Sequence, residues 1–160
     1  MISIQDDREQ LDQVYRNLNI RAEKLYDFVC RYYAYMSMPR DYGNGRMISM
    51  TEVHVLTCIE ENPGVTITQL ALERGKTKSA ISQTVKRLEK LGYIYRDKKE
   101  GNSKEVLLMP TAEGINLSNA HKLYDLTDIA STSEALLRSC SIEEIDTFYK
   151  VIDEYRKLFL

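Results

Sequence analysis

Six polar side chains in the stretch GKTKSAISQTVKRLEKLG, residues 75–92, are placed to touch another molecule: Ser79, Ser82, Gln83, Lys86, Arg87 and Lys90. Their spacing sets them in one continuous row along a helix. The front of the row is short and neutral; the back is long and cationic. Short donors and acceptors near a helix N-terminus suit base edges in a DNA major groove, and Gln83 can pair bidentately with adenine. The helix N-terminus itself favours a phosphate. Lys86, Arg87 and Lys90 suit backbone phosphate, a contact that positions without reading sequence. Ala80 or Ile81, Val85 with Thr84, Leu88 and Leu91 form the opposite, apolar stripe. The only acid in the helix is Glu89.

Charge along the chain supports an anionic partner. The 160 residues carry a net charge of −2, yet Arg74 to Lys104 holds ten basic residues against Glu89, Asp97 and Glu100. That segment is strongly positive and the remainder acidic, the polarity expected of one anion-facing module on a soluble chain. An apolar content of 43% argues against global disorder. Chains of this size often share part of their core with a second subunit.

The elements that must hold the row follow from periodicity and stop signals. Residues 10–38 read as one long helix through Leu11, Val14, Leu18, Leu25, Phe28, Val29 and Tyr32, ended by Pro39 and DYGNGR. Its length and apolar content hint at dimerisation. Ser49 with Glu52, and Thr66 with Gln69, fit capping boxes at the starts of two further helices, the second a short one ending at Gly75. Thr77 or Ser79 caps the quoted helix and Gly92 stops it.

The period then changes. YIYRDKK and KEVLLMP, joined by EGNS, read as a hairpin closed by Pro110. Arg96, Lys98, Lys99 and Lys104 make it basic, as a wing along a neighbouring groove or phosphate strand requires. Thr111 caps a helix over 111–138, weakened by Gly114 in its first turn, with ASTSEA as a candidate kink. Ser141 with Glu144 caps a last helix carrying Ile145, Phe148, Val151, Ile152, Tyr155 and Leu158. A short helix, the quoted helix and a basic hairpin, in that order, make a helix-turn-helix followed by a wing. The expected class is mostly α (α+β). A winged helix-turn-helix fills 49–110, and helical dimerisation regions fill 1–48 and 111–160.

Residues 49–114 resemble the winged helix-turn-helix of the MarR-type transcriptional regulators, named for a multiple-antibiotic-resistance repressor. MTEVHVLTCIEENPGVTITQLA, TKSAISQTVKRLEKLGYIYRDKK and VLLMPTAEG carry the likeness, in that family's order and spacing. The resemblance implies a homodimer on a pseudo-palindromic operator in double-stranded DNA, usually a repressor released by a small-molecule effector or thiol oxidation. It places Thr77, Ser79, Ser82, Gln83, Lys86 and Arg87 on the recognition helix. One departure stands on the wing. The family's Asp-Arg-Arg-like run is Asn102, Ser103 and Lys104 here, so Ser103 stands where a minor-groove arginine is usual. Lys98, Lys99 or Lys104 would compensate through phosphate. The competing reading is a winged-helix protein-interaction module without specific DNA binding.

Other residues carry weaker chemistry. Eleven tyrosines and no tryptophan are present, and Tyr15, Tyr26, Tyr32, Tyr33 and Tyr35 crowd the first helix. Tyr26, Tyr33, His54 and Cys58 are the candidates for an effector pocket where that helix meets the DNA-binding module, with packing as the default role. His54 and Cys58 are four apart on one helix, but two ligands do not make a site, so no metal is expected. Cys30, Cys58 and Cys140 read as reduced cytosolic thiols rather than a disulfide framework. The polar, acidic start and the lack of a long apolar window point to a cytoplasmic protein with no membrane segment. Phosphate-loop, dinucleotide and protease signatures are absent from the sequence, so neither catalysis nor a cofactor is expected.

Overall fold

The computed structural model describes residues 4–99 and 102–158, with side chains over 8–98 and 106–158. Its elements run α1 (Ile4–Ser37), β1 (Pro39–Asp41), β2 (Met47–Ser49), α2 (Met50–Glu61), α3 (Ile67–Glu73), α4 (Lys78–Lys90), β3 (Ile94–Lys99), β4 (Asn102–Pro110), α5 (Ala112–Leu137) and α6 (Ile142–Leu158). The fold is mostly α: a winged helix-turn-helix flanked by long N- and C-terminal helices. No described helix is long and apolar enough to cross a membrane.

The core lies in the middle of the chain. Val53, Leu56 and Ile59 of α2, Leu70 of α3, Ile81, Val85 and Leu88 of α4, Tyr93, Ile94 and Leu108 form one buried cluster. Fully burying each of the aliphatic side chains contributes roughly 1.5–3 kcal/mol. The expected stripe of α4 therefore holds at Ile81, Val85 and Leu88, whereas Ala80 is exposed and Leu91 half-buried.

Local chemistry sets the helix starts. Ser49 accepts from the Glu52 amide and Glu52 returns to the Ser49 amide. The same reciprocal pair joins Thr66 to Gln69 and Ser141 to Glu144. Each satisfies two amides that a helix start would otherwise leave unpaired. Gly92, at φ +81°, turns the chain out of α4 in a conformation that other residues resist.

Three local features differ from expectation. DYGNGR does more than end α1: β1 and β2 pair antiparallel across it, from Pro39 against Ser49 to Asp41 against Met47. Asp41 Oδ1 accepts the amides of Gly43, Asn44 and Gly45, folding the loop around one carboxylate oxygen. Gly114 is not a weak point of α5. A Cβ there would meet the backbone carbonyl of Tyr93, so the glycine permits close contact between α5 and the end of α4. ASTSEA does not break α5, which runs on to Leu137. Within that helix Thr127 and Ser133 donate to the carbonyls of Leu123 and Ile129, which satisfies their hydroxyls.

The wing pairs Ile94 with Pro110 through to Lys98 with Val106, then shifts register before Lys99 meets Asn102. Asn102 and Ser103 thus lie in the backbone of β4 rather than in the joint. A bridge between Val65 and Leu108 ties the wing to the α2–α3 connection.

The outer helices are different in kind. α1 spans 34 residues, about 51 Å at 1.5 Å per residue, and its described side chains are nearly all exposed. α6 buries no residue. Phe28 meets Phe148 edge to face at 6.1 Å, and Tyr35 donates to Asp128 at 2.9 Å. Those contacts connect α1 with α6 and α5.

Candidate nucleic-acid interface

The polar row lies on the face of α4 opposite the core. Ser79, Gln83, Lys86 and Lys90 are exposed and Ser82 is half-buried. Among the described residues these five side chains have no hydrogen-bond or ion-pair partner. A row without internal partners offers its donors to another molecule without first breaking bonds.

Two expected members of the surface are already engaged. Thr77 is the N-cap of α4, its hydroxyl oxygen accepting from the Ala80 amide at 3.2 Å. Its O–H can still donate outward, so Thr77 anchors the helix start first. Arg87 Nε sits 2.9 Å from Glu52 Oε1 on α2. The pairing leaves Arg87 half-exposed and less free than Lys86 or Lys90 to follow a phosphate.

On the wing, Arg96 pairs with Glu89 of α4 at 3.0 Å, which fastens β3 to that helix. Lys98 is exposed. The side chains of Lys99, Ser103 and Lys104 lie outside the described residues. Lys78, which sequence reasoning passed over, is exposed in the first turn of α4. Its signal was its place beside the cap, directly before the row.

The four pocket candidates are not gathered into one recess. Tyr26 and Tyr33 are exposed on α1. Cys58 is buried and donates its thiol to Glu73 of α3 at 3.4 Å. Burial and the Glu73 carboxylate both push the Cys58 thiol upward from its ordinary pKa. His54 faces α5, where it meets His121 and Asp125. A recess of about 400 Å³ lies elsewhere, lined by Tyr42, Asn44, Arg46, Tyr93, Glu113 and Asn116 among others. It touches the end of α4, because Arg46 donates to the Leu91 carbonyl at 2.8 Å and Asn44 to the Tyr93 hydroxyl at 2.9 Å.

A short helix, a turn, an amphipathic helix with its polar row outward and a basic hairpin define a winged helix-turn-helix protein. Residues 48–106 match the family model described as MarR family. A Bacillus subtilis (strain 168) protein described as the uncharacterized HTH-type transcriptional regulator YhjH is 32% identical over 84 residues, 52% of this chain and 48% of that protein. The chain spans about half the length of the curated relatives it matches. Among solved structures, Streptococcus pneumoniae FabT in complex with DNA aligns with a TM-score of 0.63 at 23% identity, over 91% of this chain and 96% of that one. A zinc-responsive MarR family member, Lactococcus lactis ZitR, aligns with a TM-score of 0.66 at 15% identity, over 89% and 99%. At these identities the two structures establish the shared fold.

Proposed function

We propose that the chain is a sequence-specific, DNA-binding transcriptional regulator that works as a homodimer. The observation that carries this is the row Ser79, Ser82, Gln83, Lys86 and Lys90 on the outer face of α4, without partners among the described residues. Residues 49–110 would meet DNA, with Gln83 and the serines at base edges and the lysines on phosphate. Lys78 joins the phosphate contacts at the helix start. Arg87 and Arg96 brace α4 against α2 and β3, and reach DNA only by exchanging a carboxylate for a phosphate. That one relative is described as a transcriptional regulator, and that one solved neighbour is held on DNA, supports the same reading.

Residues 1–48 and 111–160 would form the dimer. Leu18, Phe28, Leu126, Ile129, Phe148 and Val151 stand exposed on α1, α5 and α6. An apolar surface of that kind is unusual on a monomer and suits burial against a second copy. A dimer sets two α4 helices against successive major grooves, about 34 Å apart, and so selects a pseudo-palindromic operator. Repression, with release by a small amphipathic molecule, completes the proposal. The recess beside Tyr42 and Tyr93 is a suitable place for it, because a ligand there would press on the segment that ends α4.

The decisive measurement is binding to the chain's own upstream DNA across a salt series, with sedimentation to count subunits. Preference for one duplex, weakening steeply with salt, is the expected outcome. No preference over random duplex at low salt would leave the fold serving protein contacts instead.

A further inference from the structure

Three side chains from two helices converge outside the DNA-facing surface: His54 of α2, and His121 and Asp125 of α5. His121 Nε2 lies 3.2 Å, and His54 Nε2 3.5 Å, from the same atom, Asp125 Oδ2. One ligand atom from each residue falls within 4.8 Å of the other two. Two metal–ligand bonds of about 2.0 Å at a tetrahedral angle separate their ligand atoms by about 3.3 Å. Both measured edges fit that separation. As a hydrogen bond, by contrast, 3.5 Å exceeds the usual N–H···O range.

The surroundings ask for a further partner. His121 is 1% exposed, and its Nδ1, the Oδ1 of Asp125 and the hydroxyl of Tyr42 are buried with no hydrogen-bond partner. The Tyr42 ring packs edge-on against His121 at 5.2 Å, holding the imidazole in place. A buried polar atom without a partner is costly, and Asp125 Oδ1 is the one of these that a cation on the cluster could engage. Coordination would turn the Asp125 carboxylate into a satisfied ligand, monodentate or bidentate.

Charge favours a cation. One carboxylate with two imidazoles that are neutral when ligating makes a net-negative donor set. Lys122, the neighbouring cation on α5, turns its ammonium away to Glu60 and Glu61 at 2.7 and 3.0 Å. His54 and Asp125 are only partly buried, so the cluster is open to solvent on their side. Two imidazoles and a carboxylate suit zinc and its transition-metal neighbours better than calcium or magnesium.

We propose that His54, His121 and Asp125 bind one divalent transition-metal ion, fastening α2 of the winged helix to the long C-terminal helix α5. His54 would ligate across to α5, and Cys58, committed to Glu73, takes no part. The assignment does not depend on DNA binding, and the two are tested separately.

The test uses the full chain, stripped with chelator and then titrated with Zn(II) by calorimetry and with Co(II) by visible absorption. One ion per chain is expected. The Co(II) spectrum should show ligand-field bands of a low-coordinate nitrogen and oxygen site, without thiolate charge transfer. His54→Gln, a substitution at a partly exposed position, should keep its circular dichroism. It should lose more affinity than the roughly 10–100-fold that removal of a merely supporting partner costs. Asp125→Asn should do the same. Equal affinity in wild type and His54→Gln, a thiolate band, or no saturable binding would each overturn the site. If His54→Gln fails to fold, the wild-type Co(II) spectrum still decides between nitrogen–oxygen and sulfur ligation.

Discussion

Glu52 holds two helices with its two carboxylate oxygens. Oε2 accepts from the amide and hydroxyl of Ser49, closing the capping box of α2, while Oε1 faces Arg87 of α4 at 2.9 Å. The side chain is only 15% exposed, so water screens the pair less than it would on an open surface. The start of α2 and the side of α4 thus share one residue.

Separating the two duties gives the first expectation. Glu52→Gln keeps an acceptor for the Ser49 amide and loses only the charge pair; Glu52→Ala loses both. Chemical denaturation should place the alanine variant about 1 kcal/mol below the glutamine variant, the usual cost of a lost cap. In DNA titrations, Glu52→Gln should bind every duplex more tightly without changing its preference, because Arg87 is released toward phosphate. An unchanged affinity would mean that Arg87 does not reach DNA.

Gly114→Ala should destabilise the fold although alanine is the better helix former. The propensity gain is about 1 kcal/mol. Against it, the new Cβ overlaps the Tyr93 carbonyl oxygen, which also accepts from the Thr111 amide at 3.0 Å. Overpacking against backbone costs about 1–3 kcal/mol, so the net sign is loss. A raised Tm would show that α5 can move off Tyr93.

Lys86→Ala and Gln83→Ala should fail differently. The lysine variant should weaken all sequences alike and lower the salt slope by about 1, whereas the glutamine variant should cost about 1–3 kcal/mol at one base position. Competition titrations against a set of single-base operator variants read both. Uniform weakening by both substitutions would contradict the division of α4 into a reading front and a positioning back.

Cys58 should react slowly. Burial, then the Glu73 hydrogen bond, raises its pKa, so less thiolate is present at pH 8 than on an unfolded chain. Alkylation followed by peptide mass spectrometry should show slower labelling than for the same thiol in urea, with the rate still climbing above pH 9. Glu73→Gln removes the raising carboxylate and should speed labelling at fixed pH. A fast reaction at pH 7 would instead mark Cys58 as a candidate oxidation sensor.

Much of this architecture is written in short-range signals. The Ser49–Glu52, Thr66–Gln69 and Ser141–Glu144 boxes, the Gly92 stop and the stripe of Ile81, Val85 and Leu88 each lie within a few residues of their partners. The β1–β2 hairpin escaped because three-residue strands are too short to show a period of two. Gly114 read as a weak helix residue because nothing local reveals that Tyr93 will lie against it. The surface was legible as a polar row but not as a set of free and engaged groups. Glu52 and Arg87 stand 35 positions apart, and only folding shows that the arginine has a partner. His54 was weighed with Cys58, its neighbour on the helix; the residues it meets, His121 and Asp125, come from α5.

The loop that Asp41 folds clamps the exit of α4. Its Arg46 grips the carbonyl of Leu91 and its Asn44 grips the hydroxyl of Tyr93, one residue to either side of Gly92. Gly92 alone would be a swivel between α4 and the wing. Pinned on both flanks, it holds the end of α4 and the start of β3 in one fixed relation, so that the pitch of the helix and the course of the wing are set together.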